Sequence, residues 1–169
     1  MTKRVILIIG TADTKSDELL FLKSCVEAAG AIPAVMDIGI LGTPSFEPDY
    51  SKHDVAAAAN TTNEAIIALG NENLAMTQQA EGAALLAQSL QQSGKIDGVL
   101  AIGGTMATDL ALDVVATLPL GFPKLIASTV AYSPLLSPDR ISADVMMILW
   151  SGGLYGLNPI CQSILRQAA

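Results

Sequence analysis

Short apolar runs alternate with longer amphipathic segments along most of the chain. Val5 to Ile9 is a continuous apolar run rich in β-branched residues, which is typical of a strand buried on both faces. From Ser16 to Ala29, apolar residues including Cys25 and Val26 recur near helical spacing. Gly30 then occupies the position at which glycine commonly ends a helix. The opening of the chain therefore predicts a buried strand followed by a helix.

The same alternation continues to the last residues. Predicted strands cover about Arg4 to Ile9, Ile32 to Asp37, Gly98 to Ile102, Pro123 to Ala127 and Asp144 to Leu149, and predicted helices cover Ser16 to Ala29, Thr105 to Leu118 and Asn158 to Arg166. This order predicts an α/β fold with a doubly wound, mainly parallel five-stranded sheet and helices on both faces, a Rossmann-like three-layer sandwich.

The stretch from Ile38 to Asp97 is too long for one simple crossover between strands. Its first part, Gly39 to Asp54, contains two prolines and several acids, and predicts an ordered loop over the sheet end. Helical structure is expected to begin at Ala56, and a break near Gly70 to Asn73 separates a short helix from a long one over Leu74 to Ser93.

Composition adds an expectation about partners. The chain has 169 residues, which is the size of one domain over 1–169, and only 15% of them are charged while 51% are hydrophobic. So few solvating side chains predict that one face is covered by a sister subunit or by a further domain. The alanine- and leucine-rich long helix could form the contact of a homo-oligomer, or could simply cover the sheet.

Charge and cysteine usage exclude several classes of function. A net charge of −7 argues against general binding to nucleic acid or to an anionic membrane. Cys25 and Cys161 lie in separate apolar patterns without metal-ligand spacing, so they are expected to be reduced packing residues. No apolar run approaches the length of a membrane span, and strand one follows almost directly after Met1. A cytoplasmic protein that lacks targeting segments is expected.

The most informative polar segment follows the first strand, from Gly10 to Lys15. Thr11, Asp13, Thr14 and Lys15 bring hydroxyls, a carboxylate and an ammonium to a strand-to-helix junction. Small anionic ligands bind at such junctions because the first N–H groups of the helix are unpaired and carry partial positive charge. Thr14 and Asp17 also fit a capping box, which would only start the helix.

A second junction of this kind follows the third strand. Gly103 and Gly104 would let the backbone approach a ligand closely, although a tight turn could require them too, and Thr105 is expected to cap the next helix. Asp37 and Ser128 end the second and fourth strands, and Asp37 could accept hydrogen bonds from ribose hydroxyls. Because the carboxyl ends of parallel strands meet at one edge of the sheet, these residues predict one ligand site.

Familiar catalytic and nucleotide motifs are missing from the sequence. It contains neither a Walker A motif nor the dinucleotide fingerprint, and no Gly-x-Ser-x-Gly elbow. His53 is the single histidine and lies in a polar segment, so we expect it at the surface. A Mg²⁺ ion held by Asp13 and by ligand phosphates is compatible with these residues.

At this point the sequence resembles a known family, the Tm-1-like ATP-binding proteins, which include an uncharacterised two-domain bacterial family. The segments that carry the resemblance span nearly the whole chain in order: Gly10 to Glu18, Pro44 to Asp49 with Val55 to Ala59, Gly98 to Thr105, and Gly156 to Asn158. The family usually has a longer glycine-rich loop after the third strand, and an acid where this chain has Ser151 to Leu154.

The resemblance implies a nucleotide-binding amino-terminal domain that is normally followed by a second α/β domain. It also implies ATP with Mg²⁺, lodged between the segment at Gly10 to Lys15 and that at Gly103 to Thr105. Two alternatives stay open. The domain could supply half of an enzyme site that a second domain completes, acting on a phosphorylated or carboxylate small molecule, or it could be a regulatory interaction module.

Overall fold

The computed structural model of the protein describes residues 3–154 and 156–169. Its strands are β1 (Val5–Gly10), β2 (Ile32–Asp37), β3 (Gly98–Gly103), β4 (Lys124–Ser128) and β5 (Val145–Leu149). Its α-helices are α1 (Ser16–Ala28), α2 (Lys52–Ala58), α3 (Asn63–Ala68), α4 (Glu72–Gln92), α5 (Thr105–Ala116) and α6 (Pro159–Ala168). Single turns of 3₁₀ helix lie at Pro138–Arg140 and Ser151–Leu154.

The five strands form one sheet in the order β2-β1-β3-β4-β5. Every pairing is parallel. After β1 the chain first adds β2 on one side and then crosses to add β3 on the other. The predicted doubly wound α/β fold is confirmed, and the direction of winding changes between β1 and β3.

Helices cover both faces of this sheet. The side chain of Ile8 packs with Leu19 and Leu22 of α1 and with Leu165 of α6 on one face. Leu7 and Ile9, the neighbours of Ile8 in the strand, pack instead with residues of α2, α4 and α5 on the other face. Because side chains alternate along a strand, the apolar run of β1 supplies both cores at once.

The region between β2 and β3 differs from its prediction. A helix was expected only from Ala56, but α2 begins at Lys52 because Ser51 and Asp54 form a capping box. The predicted single short helix is also wrong. Asn60 adopts a left-handed backbone conformation with φ of 57°, and Thr62 then caps a separate helix, α3.

The long helix α4 packs against the rest of its own chain. Ala80, Ala83, Ala84 and Leu90 are buried against their own chain. Leu74 and Leu85 keep about half of their surface exposed. The small residues of α4 therefore serve internal packing, and the homo-oligomer remains a prediction.

Two further expectations concern the cysteines and the membrane. Cys161 is buried in the core beneath α1 and α6, Cys25 is half-buried, and the two are not bonded to each other. Across residues 3–154 and 156–169, no helix combines the length and the apolar character that a membrane crossing requires.

Candidate functional site

The change in winding direction marks one place on the sheet. β1 and β3 are neighbours, and the connections that leave their carboxyl ends lead to helices on opposite faces. In doubly wound sheets a crevice opens outside the strand ends at such a topological switch point, and ligands bind there. The two junctions singled out in the sequence, after Ile9 and after Ile102, flank this point.

The start of each helix distinguishes these two junctions from the others. Side-chain oxygens of Ser51, Thr62, Asn71 and Asn158 accept first-turn N–H bonds and so cap α2, α3, α4 and α6. Lys15 and Gly104 occupy the N-cap positions of α1 and α5, and neither provides a side-chain cap. Within residues 3–154 and 156–169, the first turns of the two helices at the switch point therefore keep N–H groups that no capping side chain satisfies.

Neither the capping box that Thr14 and Asp17 could have formed nor the predicted Thr105 cap is present at these junctions. Thr14 does not cap α1, because its hydroxyl lies 2.7 Å from that of Thr11 and the pair bond each other. Asp17 consequently has no capping box to complete. Thr105 is itself the first residue of α5, so it cannot be the cap of that helix.

Asp13 joins the first junction to the loop that follows β2. One carboxylate oxygen accepts the backbone N–H of Thr14 at 2.8 Å, and the other accepts that of Gly42 at 3.2 Å. A Cβ atom at Gly42 would lie 2.4 Å from the Asp13 carboxylate. Only glycine fits at residue 42 while this loop lies against Asp13.

Asp37 is buried behind the same loop. It is 2% exposed, and its Oδ1 accepts the N–H groups of Ala12 at 2.9 Å and Gly39 at 2.8 Å. Burial raises the pKa of the Asp37 carboxyl, and the two backbone hydrogen bonds oppose that rise. Asp37 therefore ties the ends of β1 and β2 together, and its side chain does not line the cavity beside Asp13.

We call residues Gly39 to Gly42 the wall loop. The Lys52 ammonium donates to the carbonyls of Ile40 at 3.3 Å, Leu41 at 3.0 Å and Gly42 at 2.5 Å. Asn63 also donates to the Ile40 carbonyl, and Gln79 donates to that of Gly39, each at 3.0 Å. Side chains from three helices therefore hold every carbonyl of the wall loop.

Two concave regions meet at Asp13 and Thr14. On one side lies a cavity of about 380 Å³, which we call the apolar cavity. Its walls are largely hydrophobic and include Ile40, Leu41, Ile67, Ala75, Met76 and Met106. On the other side lies a crevice of about 560 Å³, the polar crevice, at the start of α1, where hydroxyl and charged side chains such as Ser16, Asp17, Thr43 and Ser45 predominate.

Lys15 lies beside the polar crevice but is bound by its own fold. Its ammonium is 3.1 Å from the Glu18 carboxylate and 2.5 Å from the carbonyl of Gly153, and 5.4 Å from the centre of the Trp150 ring. The Glu18 side chain is 4% exposed. Lys15 therefore neutralises a buried acid and joins α1 to the segment that follows β5.

The three glycines at the junctions, Gly10, Gly103 and Gly104, differ in the space that surrounds them. A Cβ at Gly10 would lie 2.9 Å from Leu19, and one at Gly103 would lie 2.2 Å from the Ala107 Cβ, so both permit close helix–strand packing. A Cβ at Gly104 would meet only the Thr129 hydroxyl, at 3.7 Å. Neither Gly103 nor Gly104 has a positive φ. Gly104 alone of the three faces open space.

The structure thus brings together some of the predicted site residues. Thr11, Asp13 and Thr14 line one cavity with Met106, which follows Gly104 and Thr105. Ser128 is fully buried, where its hydroxyl bonds that of Thr108 at 2.7 Å. His53 lies at the surface, as expected.

The residues that close the site from the other side were not predicted from the sequence. These are the wall loop, the turn before α4 and Met106. Gly39 and Gly42 did indicate that this loop could form part of a site, because two glycines in a short segment after a strand permit close backbone approach. The apolar walls of the cavity could not be recognised in the sequence, because an isoleucine or methionine that lines a cavity cannot be distinguished there from one that fills a core.

Comparison with known proteins adds a family. The family model "Uncharacterised protein family (UPF0261) N-terminal domain" matches residues 4–169. A UPF0261 protein of Brucella suis biovar 1 is 61% identical over 163 residues, which cover 96% of this chain and 39% of that protein. A UPF0261 protein of Clostridium tetani is 31% identical over 169 residues, which cover all of this chain and 41% of that protein.

A plant protein is more distantly similar. The ToMV resistance protein Tm-1(GCR237) of Solanum lycopersicum is 26% identical over 185 residues, which cover 96% of this chain and 24% of that protein. The chain spans about two fifths of the length of the bacterial relatives. Since the family model covers nearly every residue and the Brucella relative is 61% identical across them, the chain belongs to the UPF0261 family and corresponds to its N-terminal domain.

Proposed function

We propose that this domain binds a nucleotide, ATP as its Mg²⁺ complex, at the carboxyl ends of β1 and β3. One observation carries the proposal: an apolar cavity and a polar crevice meet at Asp13 and Thr14, beside the two helices that lack side-chain caps. A ligand with an aromatic part and a polyanionic part matches this division. The resemblance to the Tm-1-like ATP-binding family supports ATP as the nucleotide.

In this proposal the base occupies the apolar cavity, between the wall loop and Met106. A cavity of about 380 Å³ lies within the size range of small-ligand sites. The phosphates cross Asp13 and Thr14 into the polar crevice, toward the uncapped first turn of α1. The N–H groups that begin α5, next to Gly104, would be a second set of donors for a phosphate.

The charges around the site favour binding of ATP together with a Mg²⁺ ion. Asp13, Asp17 and Glu72 line the two regions, while the nearby cations Lys15 and Lys52 are bound to protein oxygens. A bare triphosphate would therefore be repelled. No cluster of three or more His, Cys, Asp or Glu ligands occurs among the described residues. Asp13 fits a Mg²⁺ ion that takes its other ligands from phosphates and water, as is usual for that ion.

Isothermal titration calorimetry with ATP tests the proposal. We expect binding with Mg²⁺ present, and affinity at least about tenfold weaker when EDTA replaces the metal. Thermal melting gives an independent readout, since a ligand at a hundredfold excess over its Kd adds about 2.7 kcal/mol to stability. The proposal fails if folded protein shows no binding at about 1 mM Mg·ATP, a Kd that corresponds to only about −4.1 kcal/mol.

The Asp13→Asn variant separates the metal from the rest of the site. We expect it to weaken ATP binding by about tenfold with Mg²⁺ present, and to change binding little in EDTA, because the carboxylate acts through the metal. Glu81→Gln, an exposed change on α4, is the matched control and should alter neither value. An equal loss with and without Mg²⁺ would mean that Asp13 acts only by holding Gly42.

Gly104→Ala tests the open space at the start of α5. Among the described residues the added methyl meets nothing closer than 3.7 Å, so we expect the free energy of unfolding to stay within about 0.5 kcal/mol. Nucleotide affinity should fall, because the methyl would crowd the proposed second set of phosphate donors, the N–H groups that begin α5. Urea unfolding gives the free energy of unfolding, and calorimetry on the same sample gives the nucleotide affinity. Unchanged affinity would show that the start of α5 is not part of the site.

A shared enzyme site is the second candidate. The Brucella suis relative is about two and a half times as long as this chain, so a further domain could add groups beside the nucleotide. In that case the isolated 169 residues would bind Mg·ATP without turning it over. Release of phosphate by this chain alone would contradict the shared site.

A further inference from the structure

The wall loop has its carbonyl groups on the side that faces away from the apolar cavity. The carbonyls of Ile40, Leu41 and Gly42 lie 3.3, 3.0 and 2.5 Å from the Lys52 ammonium. Lys52 does not line the apolar cavity, whereas Ile40 and Leu41 do. The loop therefore presents its carbonyl side to Lys52 and its opposite side to the apolar cavity.

The N–H groups of these peptide units point the other way. Every described peptide bond is trans, and in a trans unit the N–H and the C=O have opposite directions. The carbonyl of Leu41 accepts from Lys52, and the N–H of the same unit, which belongs to Gly42, donates at 3.2 Å to a carboxylate. That carboxylate is Asp13, which lines the apolar cavity. This unit thus has its N–H on the cavity side.

The preceding peptide unit gives the apolar cavity a backbone donor. Its carbonyl, that of Ile40, accepts from Lys52 and, at 3.0 Å, from Asn63. Its N–H, that of Leu41, is therefore directed to the cavity side. Within residues 3–154 and 156–169, no protein group accepts a hydrogen bond from the Leu41 N–H. A ligand in the apolar cavity can accept one hydrogen bond from this group.

The other walls of the apolar cavity make contacts that have no fixed direction. They include the aliphatic or thioether side chains of Ile40, Leu41, Ile67, Met76 and Met106. Methionine is flexible and polarizable, so it packs well against rings of different outline. Such walls stabilise a planar base through the apolar area they cover and through dispersion. Neither contribution depends on which exocyclic groups the base carries.

The polar side chains of the apolar cavity are already bonded or lie at its exposed mouth. Both oxygens of Asp13 accept backbone N–H groups, and the hydroxyls of Thr11 and Thr14 bond each other. Asn71 and Glu72 are exposed, and the Asn71 Oδ1 accepts a backbone N–H of α4. Strong rejection of a wrong base requires buried polar groups that the wrong base leaves unpaired. Exposed groups do not provide it, because water satisfies them.

We infer that the site binds purine nucleoside triphosphates as a class and does not select ATP over GTP. The Leu41 N–H requires one acceptor, and adenine and guanine share the acceptor N7. A pyrimidine has one ring instead of two and covers less of the apolar wall, so it binds less tightly. The inference rests on the proposed nucleotide site and deepens it by naming the range of its ligands.

Isothermal titration calorimetry with Mg·ATP, Mg·GTP and Mg·UTP in one buffer tests this range. We expect the Kd values of ATP and GTP to agree within about threefold, and UTP to bind at least about threefold more weakly than ATP. ATP that binds at least about tenfold more tightly than GTP would overturn the inference and leave the nucleotide site standing. UTP that binds as tightly as ATP would do the same. Absence of binding by all three would overturn the proposed site, and the inference with it.

NMR of the ¹⁵N-labelled native protein observes the backbone donor itself. We expect saturating Mg·ATP and saturating Mg·GTP both to shift the Leu41 amide proton downfield, because either purine accepts its hydrogen bond. A Leu41 amide that responds to one of the two purines and not to the other would contradict the inference.

The Met106→Ala variant tests the apolar wall. It removes a side chain that lines the cavity, so the affinities for ATP and GTP should fall by the same factor, about three- to tenfold. A fall for one nucleotide alone would show that the wall discriminates between the bases, against the inference. Should Met106→Ala fail to fold, Ile67→Ala provides the same comparison at a wall residue that is 43% exposed.

The Glu72→Gln variant tests the mouth of the cavity. It keeps the shape of the side chain and removes its charge, and the ratio of ATP to GTP affinity should stay as in the native protein. Glu81→Gln, an exposed change on the same helix, is the matched control and should leave both affinities unchanged. A ratio that Glu72→Gln alters by about tenfold would show that Glu72 distinguishes the two purines, and the inference would be wrong.

Discussion

Replacing Gly82 with alanine should destabilise the domain by about 2–3 kcal/mol. A Cβ atom at this position in α4 would lie 2.1 Å from the carbonyl oxygen of Val55 in α2 and 2.9 Å from its carbonyl carbon. Backbone atoms cannot turn away as a flexible side chain can, so α2 and α4 would have to separate. Alanine is the better helix former by about 1 kcal/mol, and the expected loss is what remains after that gain.

Urea unfolding followed by circular dichroism measures this loss. Glu81→Ala, at the neighbouring exposed position, is the control and should change the free energy of unfolding by less than about 0.5 kcal/mol. Because α2 carries Lys52, separation of the two helices should also disturb the wall loop. A Gly82→Ala protein as stable as the native one would show that α2 and α4 do not pack this closely.

Replacing Lys15 with methionine should destabilise the protein by about 2–3 kcal/mol, below the 3–5 kcal/mol seen for fully buried pairs. The Glu18 side chain is only 4% exposed, and Lys15, itself 19% exposed, is its ion-pair partner at 3.1 Å. Methionine keeps the length of the side chain but leaves the buried carboxylate uncompensated. The expected loss of stability is smaller than for a fully buried ion pair because Lys15 is partly exposed to solvent.

A double variant identifies the cause of that loss. Adding Glu18→Gln removes the unpaired charge, so Lys15→Met with Glu18→Gln should recover most of the lost stability. Nucleotide affinity, measured by calorimetry on the same proteins, should change by less than tenfold. A Lys15→Met protein of native stability that binds Mg·ATP ten times more weakly would instead show that Lys15 contacts the phosphates of the nucleotide.

The fold could be predicted from the sequence because its strands carry strong local signals. The runs at Val5 to Ile9 and Gly98 to Ile102 are short, rich in β-branched residues and apolar without interruption, which is typical of strands buried on both faces. Gly30 ends the first helix with φ of 92°, as its position predicted. Such signals depend on neighbouring residues and on burial alone.

The starts of the helices at the site were harder to predict. Thr14 and Asp17 fit a capping box by spacing, yet the Thr14 hydroxyl bonds Thr11 instead. Several local hydrogen bonds compete for one hydroxyl at such a junction, and sequence spacing does not decide between them. The helix α5 does begin at Thr105, as predicted, but Gly104 and not Thr105 occupies its N-cap position.

Side chains that act over long sequence distances could not be predicted at all. Lys15 bonds Gly153, and Gln79 bonds Gly39. The predicted site grouped residues by their place at strand ends, which gave Thr11, Asp13 and Thr14 correctly as neighbours of one cavity. It could not tell that Ser128 and Asp37 end their strands with side chains turned into the protein.

The most direct measurement is a crystal structure of the protein grown with Mg²⁺ and a non-hydrolysable ATP analogue, at a concentration that saturates the calorimetric titration. We expect the base between the wall loop and Met106, phosphates in the polar crevice beside the first turn of α1, and a Mg²⁺ ion within reach of Asp13. Nucleotide density elsewhere on the molecule, or none at the carboxyl ends of β1 and β3 under those conditions, would contradict the proposed site.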